Sequence, residues 1–305
     1  MSLLGGAGTK TFWQDTNDYF NTNSAQCKGC GSLLATKLIL RTIYETTPNA
    51  MVFGRSCGAG RSELQTGGRI GCDGSGLMGI QMAMEARNQL PGKKLIVLSG
   101  EGRTLEMGCG DFISAFDREQ KASFIVLDNQ AYANSGSAAT AMTPQKAATR
   151  IHTREGGGKQ ATERDMPLMM LFSKARYVAT AASAYVRDLV VKVQEAIQIQ
   201  PSYLHVVVPC QVSWIYSPDQ GVQISRRLVQ TGMVPLWSYK NGKFKRTVKI
   251  PADQRIPVKE LLQLQGRYAR LTEDDVKEIE ARIVRKNNLV DALEQSLTGP
   301  DKVAW

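Results

Sequence analysis

The segment from Leu95 to Gly136, LIVLSGEGRTLEMGCGDFISAFDREQKASFIVLDNQAYANSG, leaves a chain few ways to fold. The apolar run Leu95-Ile96-Val97-Leu98 is too short for a buried helix and suits a buried strand. A tight Gly100-Glu101-Gly102 turn follows, then a helix-like stretch from Met107 to Arg118. A second apolar run, Ser123 to Leu127, ends in Asp128-Asn129, and a loop of small polar residues carries Asn134-Ser135-Gly136. The expected unit is strand–helix–strand, with polar residues at the carboxyl ends of both strands. In open parallel sheets that edge is where ligands bind.

The residue types indicate the ligand. Gly100 and Gly102 let backbone approach a bulky group such as diphosphate. Glu101 and Asn129 present hard oxygen atoms from two neighbouring strand ends, and magnesium takes roughly six such oxygens from protein, phosphate and water. Asn134 and Ser135 add neutral donors for phosphate oxygens. A Gly-Glu-Gly alone is also an ordinary strand-to-helix turn, and an Asn alone can cap a helix. The Asn at the end of the next strand favours the ligand reading.

The pairing has a counterpart. Gly-Asp-Gly with an Asn one strand later is the diphosphate motif of thiamine-diphosphate enzymes, and Gly100-Glu101-Gly102 with Asn129 resembles it. The loop Asp128-Asn129-Gln130-Ala131-Tyr132-Ala133-Asn134-Ser135-Gly136 is similar to the DNEAYMNTG loop in the beta subunit of 2-oxoacid:ferredoxin oxidoreductases of the pyruvate:ferredoxin oxidoreductase type. The similarity extends from the Cys27 region to Thr272. One residue departs from the family pattern. Glu101 stands where Asp is usual, with the same charge and one more methylene.

Six cysteines are present. Cys27-Lys28-Gly29-Cys30 makes a turn that can aim two sulfurs at one metal. Cys57 sits at the tip of a small-residue turn after the strand Met51-Val52-Phe53, and Cys210 ends the apolar run Leu204 to Val208. A lone Cys-x-x-Cys is equally a zinc half-site, a redox motif or chance, although a thioredoxin-type motif is disfavoured without a strand feeding into it. The family resemblance implies a [4Fe–4S] cluster held by Cys27, Cys30, Cys57 and Cys210, with Pro209-Cys210 and Trp214 matching the family's late APCPTGW loop. Gln211 replaces that loop's second Pro. Structural zinc on the same four cysteines is the alternative. Cys72 and Cys109 have no counterparts and are expected as small core residues.

The alternation of strands and helices predicts an α/β fold, a parallel sheet covered on both faces, which the resemblance makes the thiamine-diphosphate-binding fold with a C-terminal extension. Residues 1–22 form a lead-in whose Phe12, Trp13, Tyr19 and Phe20 pack on the body or a partner. Residues 23–217 are the cofactor-binding domain and 218–305 a helix and hairpin extension. The expected elements are helices over 33–44, 79–90, 166–172, 184–198, 220–231, 258–264 and 272–288, strands over 177–180 and 203–208, and a hairpin with Asn241-Gly242 at its turn. Gly74 and Gly76 suit close helix packing or a plain loop. His205 is expected as a satisfied core residue. Residues 137–165 are a long loop, with His152 on its surface. In the family this stretch borders the active site and contacts the partner subunit.

Composition narrows the partners. The formal charge of +10 suits nucleic acid, a membrane surface or an acidic protein. The chain has no basic run interleaved with aromatics and no nucleic-acid motif, so a basic zinc-containing nucleic-acid-binding protein is the remote reading. No apolar stretch approaches the about 18 residues of a membrane span, the first residues do not resemble a secretion signal, and a cytoplasmic setting is expected. The resemblance implies the rest. A 2-oxoacid is oxidatively decarboxylated on thiamine diphosphate, electrons leave singly through the cluster towards ferredoxin or another acceptor, and the acyl group passes to coenzyme A. Glu101, Asn129 and the carbonyl of Ala131 hold Mg2+. Gly100, Gly102, Asn134 and Ser135 hold the diphosphate, and Asn134 also faces substrate as the candidate catalytic residue. An alpha subunit supplies the glutamate that activates the thiamine, and gamma- or delta-type subunits complete the complex. A non-oxidative 2-oxoacid decarboxylase with structural zinc remains open.

Overall fold

The computed structural model describes residues 27–54, 65–66 and 69–299. The lead-in of residues 1–22, Cys57 with its turn, and the last six residues therefore lie outside the described residues. In chain order the elements are α1 (Gly31–Thr46), β1 (Ala50–Phe53), β2 (Gln65–Thr66), α2 (Asp73–Ala86), β3 (Lys94–Gly100), α3 (Cys109–Asp117), β4 (Ala122–Asp128), α4 (Met166–Leu171), β5 (Tyr177–Ala182), α5 (Val186–Gln198), β6 (Ser202–Val207), α6 (Gln211–Trp214), α7 (Gly221–Gln230), β7 (Trp237–Lys240), β8 (Lys243–Arg246), α8 (Val258–Gln263) and α9 (Glu273–Ser296).

Apolar runs long enough for strands form the centre of the sheet. Every residue of β4, β5 and β6 is buried, as expected for parallel strands covered on both faces. The strand order is β2-β1-β3-β4-β6-β5-β7-β8. The first six strands pair in parallel, and β7 joins β5 antiparallel, with Tyr177 opposite Lys240. On one face α1 and α5 bring Leu38, Ile39, Leu189 and Val193 onto Ile96, Ile125 and Leu204. On the other, α2, α3, α4 and α9 cover Val97, Phe124 and Tyr203 with Leu77, Phe112, Met170 and Val290. Phe112 meets Phe116, Phe124 and Tyr203 edge to face at 5.2, 5.4 and 5.2 Å between ring centres, the geometry favoured by ring quadrupoles. The expected α/β architecture, with a sheet covered on both faces, is therefore the observed one. In the extension the β7–β8 hairpin continues the sheet. Asn241 and Gly242 have φ of 50° and 78°, the positive pair that a type I′ turn requires.

Some elements differ from expectation. α2 starts six residues early because its first turn is capped from outside: the carboxylate of Asp111 on α3 accepts the amides of Gly74 and Ser75 at 2.6 and 2.9 Å. A Cβ on Gly74 would come within 2.8 Å of the Asp111 carbonyl, so the glycine is what allows α2 to sit on α3. Between β3 and α3 the chain makes a π-helical turn, Gly102–Met107. Cys72 is exposed and Cys109 half-buried, contrary to the core placement. Cys72 precedes the first residue of α2 and Cys109 begins α3, where the Arg164 guanidinium reaches the Cys109 sulfur at 3.5 Å. Residues 137–165 form no helix or strand, yet they are firmly packed. The Lys159 ammonium is buried on the carbonyls of Thr143 and Thr162, and ion pairs Lys146–Asp275, Arg282–Glu163 and Lys286–Asp165 fasten the segment to α9. His152 is half-buried and bonded to Thr149 rather than standing free in a mobile loop. No helix among the described residues is long and apolar enough to cross a membrane.

Candidate functional site

β3 and β4 lie side by side with Gly100 opposite Leu127, so their carboxyl ends deliver Glu101 and Asn129 to one place. The Glu101 Oε1 and Asn129 Oδ1 atoms accept the same N–H, that of Ala131, at 2.9 and 3.1 Å. Glu101 is only 2 % exposed. Burial, and then the nearby charge of Asp128, push its carboxyl well above the usual carboxylate range. A buried carboxyl beside a second acid lacks a counter-charge, and a hard divalent cation on these oxygens would supply one. The donor set therefore fits a metal of the magnesium type, with the Ala131 carbonyl adjacent.

Gly102 fits tightly for a reason the sequence hides. A Cβ there would stand 2.4 Å from the ring of Tyr132, whose hydroxyl donates to the Gly102 carbonyl at 3.3 Å. The ring thus locks the loop after β4 onto the turn after β3. Asn134 and Ser135 lie in a single 3-10 turn and are exposed on that loop. Gly136 follows in the left-handed region at φ 76°. Beneath the turn, the buried Asp73 carboxylate accepts Ser99 Oγ at 2.9 Å, Thr104 Oγ1 at 2.7 Å and Arg103 Nε at 2.8 Å.

Like Asp73, the side chains of Asp128, Tyr203, His205 and Arg267 were not identified from sequence as parts of this site. Asp128 accepts His205 Nε2 at 3.0 Å, and His205 Nδ1 meets the Tyr203 hydroxyl at 2.6 Å. Both ring nitrogens of His205 are satisfied, as a core histidine requires. Arg267, contributed by the extension, is 3 % exposed. Its guanidinium lies 4.0 Å from the Trp214 ring centre and donates to the amide oxygens of Gln130 and Gln265. It forms no ion pair among the described residues. Burial lowers its pKa, opposed by Tyr268, Asp128 and Cys210. A buried cation with only neutral partners is costly, so an anionic group nearby would stabilise it.

The cysteine loops meet next to these groups. Gly31 N–H donates to the Pro209 carbonyl at 3.2 Å. A Cβ on Gly29 would fall 2.1 Å from the Pro218 carbonyl, and one on Gly31 would fall 2.5 Å from that of Pro209. Only glycine permits that approach, and it draws Cys30 and Cys210 together. The Cys30 sulfur accepts Leu33 N–H at the start of α1, and the Cys210 sulfur accepts Ser213 N–H at the start of α6. Helix N-termini favour thiolates, but at Cys30 burial outweighs this. Burial, with the charges of Cys210 and Cys27, pushes its thiol up. Thiols crowded and desolvated in this way suit a cationic metal group. Among the described residues no three Cys, His, Asp or Glu side chains surround a single point as one ion would require. A four-iron cube does not impose that geometry, because each thiolate binds a different iron. Trp214 joins the two halves of the site: its Nε1–H donates to the Asn129 carbonyl at 2.8 Å.

Comparisons with known proteins show which family the chain resembles. Residues 57–206 match the family described as thiamine pyrophosphate enzyme, C-terminal TPP binding domain. Pyruvate synthase subunit PorB of Methanocaldococcus jannaschii is 31 % identical over 90 % of this chain and 96 % of its own length. PorB of Methanothermobacter marburgensis is 34 % identical over 66 % of this chain and 70 % of its own length. Ketoisovalerate oxidoreductase subunit VorB of Pyrococcus furiosus is 26 % identical over 88 % and 91 %. The solved 2-oxoglutarate:ferredoxin oxidoreductase of Magnetococcus marinus has the same fold, with a TM-score of 0.56 at 16 % identity, over 88 % of this chain and 95 % of that one. Two carboxyl-end oxygens on adjacent strands, a sequence match across that very unit and relatives aligned almost end to end lead to one result: the chain belongs to the beta subunits of the 2-oxoacid:ferredoxin oxidoreductases.

Proposed function

We propose that this beta subunit takes part in the oxidative decarboxylation of a 2-oxoacid to an acyl-coenzyme A and carbon dioxide. Bound thiamine diphosphate would supply a carbanion that adds to the 2-oxoacid carbonyl and takes up the electron pair left by decarboxylation. A [4Fe–4S] cluster would carry electrons singly to ferredoxin or another acceptor. Glu101, the side chain of Asn129 and the carbonyl of Ala131 would hold Mg2+. Gly100 and Gly102 would face the diphosphate, with Asn134 and Ser135 donating to it and Asn134 turned towards substrate. Cys27, Cys30, Cys57 and Cys210 would hold the cluster.

The observation carrying this reading is the convergence of Glu101 and Asn129, from two neighbouring strand ends, on one amide at 2.9 and 3.1 Å. The exposure of Asn134 and Ser135 supports a site closed by another chain. That chain would be an alpha subunit bringing the activating glutamate, in a cytoplasmic complex with gamma- or delta-type subunits.

Two experiments test this. The purified chain, reconstituted with iron, sulfide, magnesium and thiamine diphosphate, should reduce no dye when given pyruvate, 2-oxoisovalerate or phenylglyoxylate, and should do so when co-purified with its partner subunits. Turnover by the chain alone would overturn the shared site. Gly102→Ala forces the Tyr132 ring aside, and overpacking of this kind costs about 1–3 kcal/mol. Calorimetry should show thiamine diphosphate binding weakened by about tenfold or more, with Tyr132→Ala in the same chain restoring much of it. Unchanged binding in the Gly102→Ala chain would mean that the ring does not hold the diphosphate loop in place.

A further inference from the structure

Gln130 stands between Asn129 and Ala131, two of the residues proposed to hold Mg2+, and its backbone is left-handed at φ 61°. That region disfavours a residue with a side chain, which stays there only when its surroundings hold it. The reversal at Gln130 turns the Ala131 N–H back onto Asn129 Oδ1 at 3.1 Å, where it also meets Glu101 Oε1 at 2.9 Å. Three hydrogen bonds fix this pivot. The Gln130 N–H donates to Asp128 Oδ1 at 2.8 Å, its carbonyl accepts Thr143 Oγ1 at 2.6 Å, and its side-chain oxygen accepts Arg267 Nη2 at 2.8 Å. The last of these comes from the C-terminal extension, and Arg267 is itself braced. Its Nε donates to Gln265 Oε1 at 2.9 Å, and the Gln265 amide donates to the Leu261 carbonyl on α8. Its guanidinium lies on Trp214, whose Nε1–H holds the Asn129 carbonyl. Arg267 therefore acts on both residues that precede Ala131: on Gln130 directly and on Asn129 through Trp214.

We infer that Arg267 is a positioning residue for the metal loop: its bond to the Gln130 side chain keeps Gln130 left-handed, so that Asn129 and Ala131 stand ready beside Glu101 before the cation arrives. This rests on the metal reading of those three residues given above. The physical ground is preorganisation. Apparent affinity falls in proportion to the fraction of chains whose site is already arranged. A hydrogen bond from a guanidinium is stronger than one between neutral groups, and here it is spent on the residue whose conformation the loop can least adopt unaided. The extension thereby reaches the cofactor site without touching the cofactor.

The test uses the complex in which the chain co-purifies with its partner subunits, with thiamine diphosphate and with manganese in place of magnesium. Electron paramagnetic resonance separates bound from free manganese and needs no turnover. Arg267→Met, which keeps a stem against Trp214 but has no donor, should weaken the thiamine-diphosphate-dependent manganese binding about tenfold, or about 1.4 kcal/mol. Adding Gln130→Gly should bring it back to within about threefold of wild type, because glycine enters the left-handed region freely. A role in packing alone would leave the double variant as weak as Arg267→Met. That result overturns the proposal, as does undiminished binding by Arg267→Met itself. If Arg267→Met fails to fold or assemble, Gln130→Ala and Gln130→Gly decide with Arg267 in place. Alanine meets the left-handed penalty without the bond and should bind manganese about tenfold more weakly than wild type, whereas glycine should stay near it. Alanine as tight as wild type overturns the proposal. Wild-type complex that takes up no manganese with thiamine diphosphate overturns the metal reading instead, and this inference with it.

Discussion

Replacing Asp73 by alanine is expected to cost the chain about 3–5 kcal/mol of stability, as removal of one partner from a buried ion pair does. Asp73 is 2 % exposed. Its carboxylate bonds the guanidinium of Arg103 at 2.6 and 2.8 Å and takes two hydroxyls, those of Ser99 and Thr104, at 2.9 and 2.7 Å. These four residues come from the start of α2, the end of β3 and the π-helical turn, so one carboxylate fastens three segments around Glu101. Alanine leaves the Arg103 side chain, only 11 % exposed, without its counter-charge. Thermal unfolding of the purified chain should fall by on the order of 10 °C. Asp73→Leu with Arg103→Leu should recover much of that loss, because an apolar pair of similar volume is often as stable as a buried ion pair. A loss below about 1 kcal/mol for the alanine chain would show that water reaches the pair and that it behaves as a surface bridge.

The Asp73 network also shows where sequence reading reached and where it stopped. β3 and β4 were readable because four or five consecutive apolar residues bounded by glycine and polar residues can do little else. Their polar ends, Glu101 and Asn129, were readable because strand direction alone places them at one edge. Asp73 was not, since its partners lie 26, 30 and 31 positions away in sequence and only the fold brings them near. The same holds for Asp128 and His205, which meet because β4 and β6 pair with Val126 opposite His205, and for Arg267, which reaches the site from the extension. α9 runs to Ser296, beyond the expected Asn288. Asn287 looks like a stop, but its amide is buried and satisfied by the carbonyls of Gly232 and Ile283, so the helix continues through it. The approach of Cys30 to Cys210 came from resemblance; the close contacts of Gly29 and Gly31 with Pro218 and Pro209 are its physical cause.

Substitution of Glu101 separates the two states of the site most sharply, because its effect should change sign with the ligand. Without metal or cofactor, Glu101 is a buried acid beside Asp128, and its pKa is raised by burial first and by that charge second. A group whose folded pKa is raised stabilises the chain fully below its unfolded value, and that stability is lost as pH rises through the folded value. Across the interval from the ordinary carboxylate range up to Glu101's raised value, the ligand-free wild-type chain should therefore lose stability with rising pH. Glu101→Gln, which keeps the shape and an oxygen for Ala131 N–H, should remove that part of the slope and melt higher than wild type at neutral pH. With magnesium and thiamine diphosphate the order should reverse. Wild type gains stability by binding, while the neutral amide leaves the cation without its only carboxylate among the proposed ligands. Losing one partner of a buried charge contact costs about 2–5 kcal/mol, so cofactor binding should weaken by about 100-fold. Melting curves of both chains, with and without the two ligands and across pH, measure all of this. Equal binding by the two chains would remove Glu101 from the metal site, and a ligand-free wild type more stable than Glu101→Gln at neutral pH would mean that the carboxylate has a counter-charge within the protein itself.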